Sequence, residues 1–416
     1  MKAHTAMLPR LSVMMFLQYF ITGSWMVTMG LVLSEQGLSS IIGTAYSVGG
    51  IATILSPIFI GMLADRFFPS EKIMGVLHII SGVTLWMVPS QIQAGNGAMI
   101  LVLIFLHKLL YQPTGAISNN IVFNSVLDKE EKYFPIIRVF GTIGFITVGL
   151  FIGQMGLSTS TMTFQIAAIT SFVLGIYSFT LPNTPAPAKG KPFSIRDLLF
   201  LDAFALLKDR NYFVFMICTM ALFIVNTFYS TFASVFFNAV GFDNVASIMT
   251  IGQMSEVIFM LLMPLFFKRF GVKYMLLFGM LGFILRALLL GFGAPDVVFM
   301  IMAIALYGTC QDFIFVTGEI YTSQKADKKI KAQAQSLLKT FTWGIGMFIG
   351  SFIAGNIFNS TVATQEAESL SKWTVFWMYP AIVAGIMLIF FALFFKDKNR
   401  KSKQEHAVDE SIASNH

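Results

Sequence analysis

Charge is scarce in this sequence. Only 12% of its 416 residues are Asp, Glu, Lys or Arg, against 56% hydrophobic residues and a mean hydropathy of +0.74. A soluble domain carries about a quarter charged residues, so this composition excludes an ordinary water-soluble fold and points to lipid as the solvent. Cysteine is nearly absent. Cys218 and Cys310 both lie inside apolar runs, which suit neither a disulfide framework nor a thiolate metal site. No His/Asp cluster or nucleophile–base pair stands out, so an enzyme is not expected, nor a cofactor or metal. A signalling domain is missing too: the longest internal connection, 182–210, has 29 residues, too few for a sensor built on a membrane scaffold. The apolar run after Arg10 exceeds the roughly 7–15 residues of a signal-peptide core and precedes no small-residue cleavage pattern. It reads as a first membrane span.

What is present is apolar and long. Phe contributes 44 residues and Met 25, a usage suited to surfaces that face lipid tails. A helix crosses the roughly 30 Å hydrocarbon core with about 20 apolar residues at about 1.5 Å each. Twelve stretches qualify, six between Leu11 and Leu181 and six between Tyr212 and Phe395. The first is Leu11 to Leu33, and the eighth and ninth are Ala246 to Phe267 and Tyr274 to Phe292. Lipid satisfies no backbone group and the runs lack strand alternation, so the predicted class is all-α integral membrane.

The net charge of +7 is explained by orientation rather than by a nucleic-acid partner. With twelve spans, the termini and even-numbered connections carry 23 Lys or Arg residues and the opposite side only Lys372. That asymmetry predicts cytoplasmic termini. Four bases, Lys108, Arg138, Arg286 and Lys339, fall within spans. The predicted organisation is a six-helix unit over 1–181, a Pro-rich cytoplasmic linker over 182–210, a second six-helix unit over 211–396 and a polar tail over 397–416. Within the linker, Ser194 to Asp209 reads as a short interfacial amphipathic helix. Two six-span halves joined by a basic linker resemble the major facilitator superfamily, whose substrates bind between the halves near the midplane. Gly61-Met62-Leu63-Ala64-Asp65-Arg66 adds to this, because it resembles the superfamily's Gly-x-Leu-x-Asp-Arg loop after the second span. There Gly61, Asp65 and Arg66 would serve conformational control rather than ligand contact; the plain alternative is an ordinary charged turn.

Acidic residues inside spans carry the most chemistry. Glu256 lies near the middle of span eight and Asp312 just past the middle of span ten. A central carboxylate costs roughly 2.5–3.5 kcal/mol, so each should face a cavity or a partner. Both are candidates for hydrogen bonding to a solute and for proton coupling; the alternative is a structural acid satisfied by neighbouring amides or bases. Gln253 precedes Glu256 by three residues, and Tyr307 precedes Gln311 by four with Asp312 next, so each set shares a helix face. Asn226 occupies the middle of span seven with Phe223 and Phe228 available for stacking. Arg138, Thr142 and Phe145 share a face of span five, although Arg138 could simply snorkel to the cytoplasm. Lys108 requires a cavity, a carboxylate partner or loss of its charge. Gln18 and Trp25 share a face of span one, where Trp25 either stacks on a ligand or packs.

Gly23-Ser24-Trp25, the run Arg138 to Phe145, Leu201-Asp202-Ala203-Phe204-Ala205-Leu206, Gln253-Met254-Ser255-Glu256 and Tyr307-Gly308-Thr309-Cys310-Gln311-Asp312-Phe313 together resemble the bacterial nucleoside:proton symporters. The resemblance runs in register from the first span to the last. It implies proton-driven uptake of purine and pyrimidine nucleosides by a multi-pass protein of the bacterial cytoplasmic membrane, acting as a monomer. It also implies nucleoside contacts at Arg138, Thr142, Phe145, Asn226, Gln253, Glu256, Tyr307 and Asp312. Two positions depart from the family pattern, which carries Gln where this chain has Phe223 and Phe where it has Gln311. The competing reading is a symporter or facilitator for another neutral polyhydroxylated solute such as a sugar.

Overall fold

The computed structural model describes residues 2–57, 68–126, 130–186, 196, 199–363 and 370–396, and the regular elements among them are all helical. They are α1 (Lys2–Trp25), α2 (Met29–Glu35), α3 (Ile42–Ser56), α4 (Ser70–Gln93), α5 (Gly97–Tyr111), α6 (Thr114–Ser125), α7 (Glu130–Gln154) and α8 (Met162–Ser178). After the linker come α9 (Arg210–Ala239), α10 (Val245–Phe292), α11 (Val297–Cys310), α12 (Thr317–Lys325), α13 (Lys331–Lys339), α14 (Met347–Thr361) and α15 (Leu370–Phe394). Two π-helical segments, Gln311–Val316 and Thr340–Gly346, join α11 to α12 and α13 to α14.

Ten helical stretches among the described residues are long and apolar enough to cross a membrane, where the sequence predicts twelve spans. The difference has two physical sources. α8, with 17 residues, is slightly short, and α10 covers 48 residues as two helical stretches that follow each other across a kink without a loop. At about 1.5 Å per residue α10 would be about 72 Å long, more than twice a bilayer core. Gly271 interrupts it with φ 68° and ψ 179°, between the predicted spans ending at Phe267 and beginning at Tyr274. The predicted first span is likewise bent by a turn at 26–28 between α1 and α2. Within the predicted interfacial helix, Leu201–Lys208 forms a 3-10 helix preceded by a turn at 199–200, and Asp209 at its end is bound by Lys325 of α12 at 3.0 Å. Gly61, Asp65, Arg66 and the 397–416 tail lie outside the described residues.

α5 and α11 start alike and break alike. Asn96 caps α5 by accepting from the Met99 amide, and Asp296 caps α11 by accepting from the Val298 and Phe299 amides. Each offers oxygen to the exposed N–H groups of a first turn. α5 then gives way at Gln112–Pro113, where proline has no N–H to continue the ladder, and α11 gives way to the π segment at Gln311.

Large side chains such as Leu261, Ile176 and Leu393 are exposed on the outside, as lipid contact requires. Inside, α1 packs on α7 and α8, α4 on α5 and α8, α10 on α11 and α15, and α9 on α14 and α15. The N-terminal and C-terminal halves meet through α3 with α14, α7 with α10 and α2 with α9. These meetings use small residues, because without a hydrophobic drive in lipid close backbone approach supplies the contact. A Cβ on Gly355 would lie 2.7 Å from the Gly43 Cα, and one on Gly153 would lie 2.5 Å from the Ser247 amide nitrogen. Hydrogen bonds between the halves gather at the same end: Asn238 to Glu35 at 3.0 Å, Asn359 to the Ser40 carbonyl at 3.1 Å, and Ser247 to the Leu150 carbonyl at 3.1 Å. The opposite end, with Arg138, Glu319 and Lys339, carries exposed side chains. The halves are therefore closed together at the end bearing the 36–41, 155–161 and 240–244 connections.

Candidate functional site

Glycine sets the geometry of the site. A Cβ on Gly308 would lie 2.5 Å from the Glu256 amide nitrogen, so α11 approaches α10 as closely as two backbones allow. The Gly308 amide then donates to Ser255 Oγ at 3.0 Å. This contact places Tyr307 and the start of the π segment beside Gln253 and Glu256. The π segment adds a residue to the turn and re-aims its side chains, a distortion frequent at functional positions. Thr317 Oγ1 donates to the Asp312 carbonyl at 3.2 Å, taking up a backbone group within the distorted turn.

Asp312 is fully buried, and neither carboxylate oxygen has a hydrogen-bond partner among the described residues. Leaving such a group unsatisfied costs about 1–3 kcal/mol, more when charged, so the position asks for a proton or a ligand. Glu256 is half-buried and within electrostatic range of Asp312, of Tyr307 and of the exposed Arg138 on α7, with no ion pair to Arg138 within 4.0 Å among the described residues. Asn226, on α9, accepts at Oδ1 from Gln311 Nε2 at 3.4 Å and from Arg286 Nη2 at 3.3 Å. The Gln311 amide also bonds the Tyr307 side chain. The Arg286 guanidinium lies 4.3 Å from the Tyr229 ring centre and 5.0 Å from that of Phe283.

Seven side chains on α7, α9, α10, α11 and the π segment thus form one group: Arg138, Glu256, Tyr307, Gln311, Asp312, Asn226 and Arg286. Gln253 lies one turn before Glu256 and is half-buried. Thr142 and Phe145 are half-buried further along α7, with the Phe145 ring against Gly23 of α1. The aromatic residues proposed for stacking are elsewhere engaged. Phe223 is 2% exposed, edge-on to Phe315 at 5.1 Å and to Trp343 at 4.8 Å, and Phe228 packs on Phe376. Trp343 is the exposed ring of that cluster. Gln18 is held in the N-terminal core, donating to Thr114 at 2.7 Å and bonded to His78 at 2.8 Å. Trp25 packs on His107 and Phe164, with Lys108 Nζ 5.0 Å from its ring. No carboxylate lies within 4.0 Å of Lys108 among the described residues, and its Nζ rests 3.2 Å from Met26 Sδ. Arg286 and Tyr229 were not singled out from sequence as site residues. For Arg286 a signal existed, a base in the middle of an apolar run.

No group of three or more His, Cys, Asp or Glu side chains among the described residues is placed to hold a metal. The arrangement offers amide, phenol, guanidinium and carboxyl groups converging on one region, suited to a ligand with several hydroxyls and amide-like edges.

Comparison with known proteins places this arrangement. The chain is 35% identical to YegT of Escherichia coli (strain K12) over 97% of both chains. It is 30% identical to the xanthosine permease of the same organism, over 95% of this chain and 98% of that one. The crystal structure of nucleoside transporter NupG superposes with a TM-score of 0.85 at 28% identity, covering 94% of this chain and 100% of that chain. A family model described as nucleoside H+ symporter matches residues 5–400, and the chain belongs to that family, within the major facilitator superfamily.

Proposed function

We propose that the protein takes up nucleosides, purine and pyrimidine, across the bacterial cytoplasmic membrane together with protons, by alternating access as a monomer. One observation carries the proton half of this reading: Asp312 is sealed in the protein with both carboxylate oxygens unpartnered, beside the polar groups that suit a nucleoside. Ligand contacts are assigned to Arg138, Thr142, Phe145, Asn226, Gln253, Glu256, Tyr307, Gln311 and Asp312, and the coupling proton to Asp312 or Glu256; Phe223, whose ring Phe315 and Trp343 enclose, bears on the ligand through Asn226 on the same face of α9. Twelve spans in two six-helix units follow if α10 crosses twice about Gly271 and α8 crosses once. With the basic connections and both termini in the cytoplasm, the closed end faces outward and the conformation is inward-facing. Gly61, Asp65 and Arg66 are assigned to control of that transition. Xanthosine and other nucleosides are handled by the relatives so named, which favours this reading over a sugar facilitator.

Radiolabelled uridine and adenosine uptake, in cells lacking their own permeases, tests the proposal. A proton crossing 100 mV supplies about 2.3 kcal/mol, enough for roughly 50-fold accumulation. Accumulation is expected to collapse with a protonophore; accumulation that persists after full collapse of the gradient would exclude proton coupling.

The Phe223 and Gln311 departures from the family pattern are expected to act together, because Gln311 bonds Asn226, which shares a face of α9 with Phe223. Gln311→Phe should weaken nucleoside binding several-fold, as loss of a hydrogen bond worth about 0.5–1.5 kcal/mol implies. Adding Phe223→Gln should recover part of the loss. Strict additivity in a double-mutant cycle would show the two sites to be independent.

A further inference from the structure

We infer that Arg286 is a positioning residue which fixes the polarity of the Asn226–Gln311 pair, so that the site selects nucleosides whose base carries a lactam edge, a carbonyl beside a ring N–H. The inference rests on the proposed nucleoside function.

A guanidinium has donors and no acceptor. Arg286 is 3% exposed, and its Nη2 donates to Asn226 at 3.3 Å, so the atom it faces must be the Asn226 oxygen. The amide is therefore not free to turn over: the opposite orientation would set two N–H groups against a buried cation. With Oδ1 facing Arg286, Gln311 can reach the same oxygen only through its own Nε2, as it does at 3.4 Å. The polarity of one amide thus dictates the other. With Nε2 of Gln311 shared between Asn226 and the Tyr307 oxygen, what remains for a ligand is the Nδ2 group of Asn226 as donor and Oε1 of Gln311 as acceptor. A lactam edge presents the complement, a carbonyl for the first and an N–H for the second. Uracil and hypoxanthine have that edge, whereas cytosine and adenine carry an amino group and a bare ring nitrogen there.

Arg286 itself is held without an acidic partner. No carboxylate lies within 4.0 Å among the described residues, and its plane is clamped by Tyr229 at 4.3 Å and Phe283 at 5.0 Å. Aromatic faces stabilise the cation without offering an acceptor that would draw it from Asn226. Nη1 has no hydrogen-bond partner and is sealed from solvent, which makes Arg286 an orienting group rather than a ligand contact in this conformation.

Competition against labelled uridine by the matched pairs uridine and cytidine, and inosine and adenosine, reads out the preference. The wild type is expected to bind the oxo member of each pair at least fivefold better. Asn226→Asp keeps an oxygen on Arg286 but removes the N–H donors. It should erase that ratio while the thermal stability of the purified protein is retained or raised. Arg286→Gln, which lets the amide turn, should also bring the ratio toward one, and Arg286→Lys should restore part of it. An unchanged ratio in Asn226→Asp, or an Arg286→Gln variant that loses affinity equally for all four nucleosides, would overturn the inference. A wild type with no preference would overturn it while leaving nucleoside transport intact. A wild type that takes up none of the four would overturn the proposed function as well.

Discussion

Asp312→Asn is expected to abolish concentrative nucleoside uptake while leaving exchange of labelled for unlabelled nucleoside across the membrane measurable. Asn keeps a polar group of similar shape but cannot exchange a proton, so binding and energy coupling are separated by one substitution. Asp312 is the better candidate than Glu256 because its oxygens are sealed and have no partner in this conformation, whereas Glu256 is half-buried and within electrostatic range of Arg138. A group with no partner in one state and a changed setting in another is one whose proton the transport cycle can move. The expected effect is the loss of the whole roughly 50-fold gradient that 100 mV sustains with one proton. Glu256→Gln should instead raise the half-saturating nucleoside concentration, since it removes the charge opposite Arg138. Full proton-driven accumulation in both variants would show that neither acid couples.

Gly355→Leu is expected to stop transport at the opposite step. The Gly355 and Gly43 backbones touch where α14 meets α3, and even a Cβ on Gly355 would lie 2.7 Å from the Gly43 Cα. Overpacking a tight contact costs about 1–3 kcal/mol, and backbone has no rotamer by which to yield. The halves should part at this end, shifting the population by tenfold or more toward the outward-open state. Uptake should fall at least tenfold while nucleoside binding from outside is retained, and a cysteine placed in the outer vestibule should become more reactive toward an impermeant thiol reagent. Wild-type turnover in Gly355→Leu would contradict closure through this contact.

Glu256 and Asp312 were legible as candidates because a carboxylate in an apolar run is expensive wherever its helix packs. Gln253, Tyr307 and Gln311 were legible as their neighbours because 3.6 residues per turn fixes which side chains share a face. Periodicity does not say what stands opposite that face. Phe223 shares one with Asn226, yet Trp343 and Phe315, from distant stretches, enclose its ring. Gln18 has the composition of a ligand contact, yet His78 and Thr114 occupy both ends of its amide. Arg286 was visible as a charge out of place, but its partner Asn226 lies 60 residues away on another helix.

By itself the sequence determined the solvent, the helical class, the approximate place of most apolar helices and the two acids within them, since each follows from transfer energies summed over local windows. The family resemblance was carried by short runs in register, also local. Tertiary structure alone decided the π turns at Gln311 and Thr340 and the closed end at Gly43 and Gly355. It also decided the orientation of the Asn226 amide. Each of these depends on which atoms of remote segments come within bonding distance, and backbone approach of that kind leaves no periodic trace in the chain.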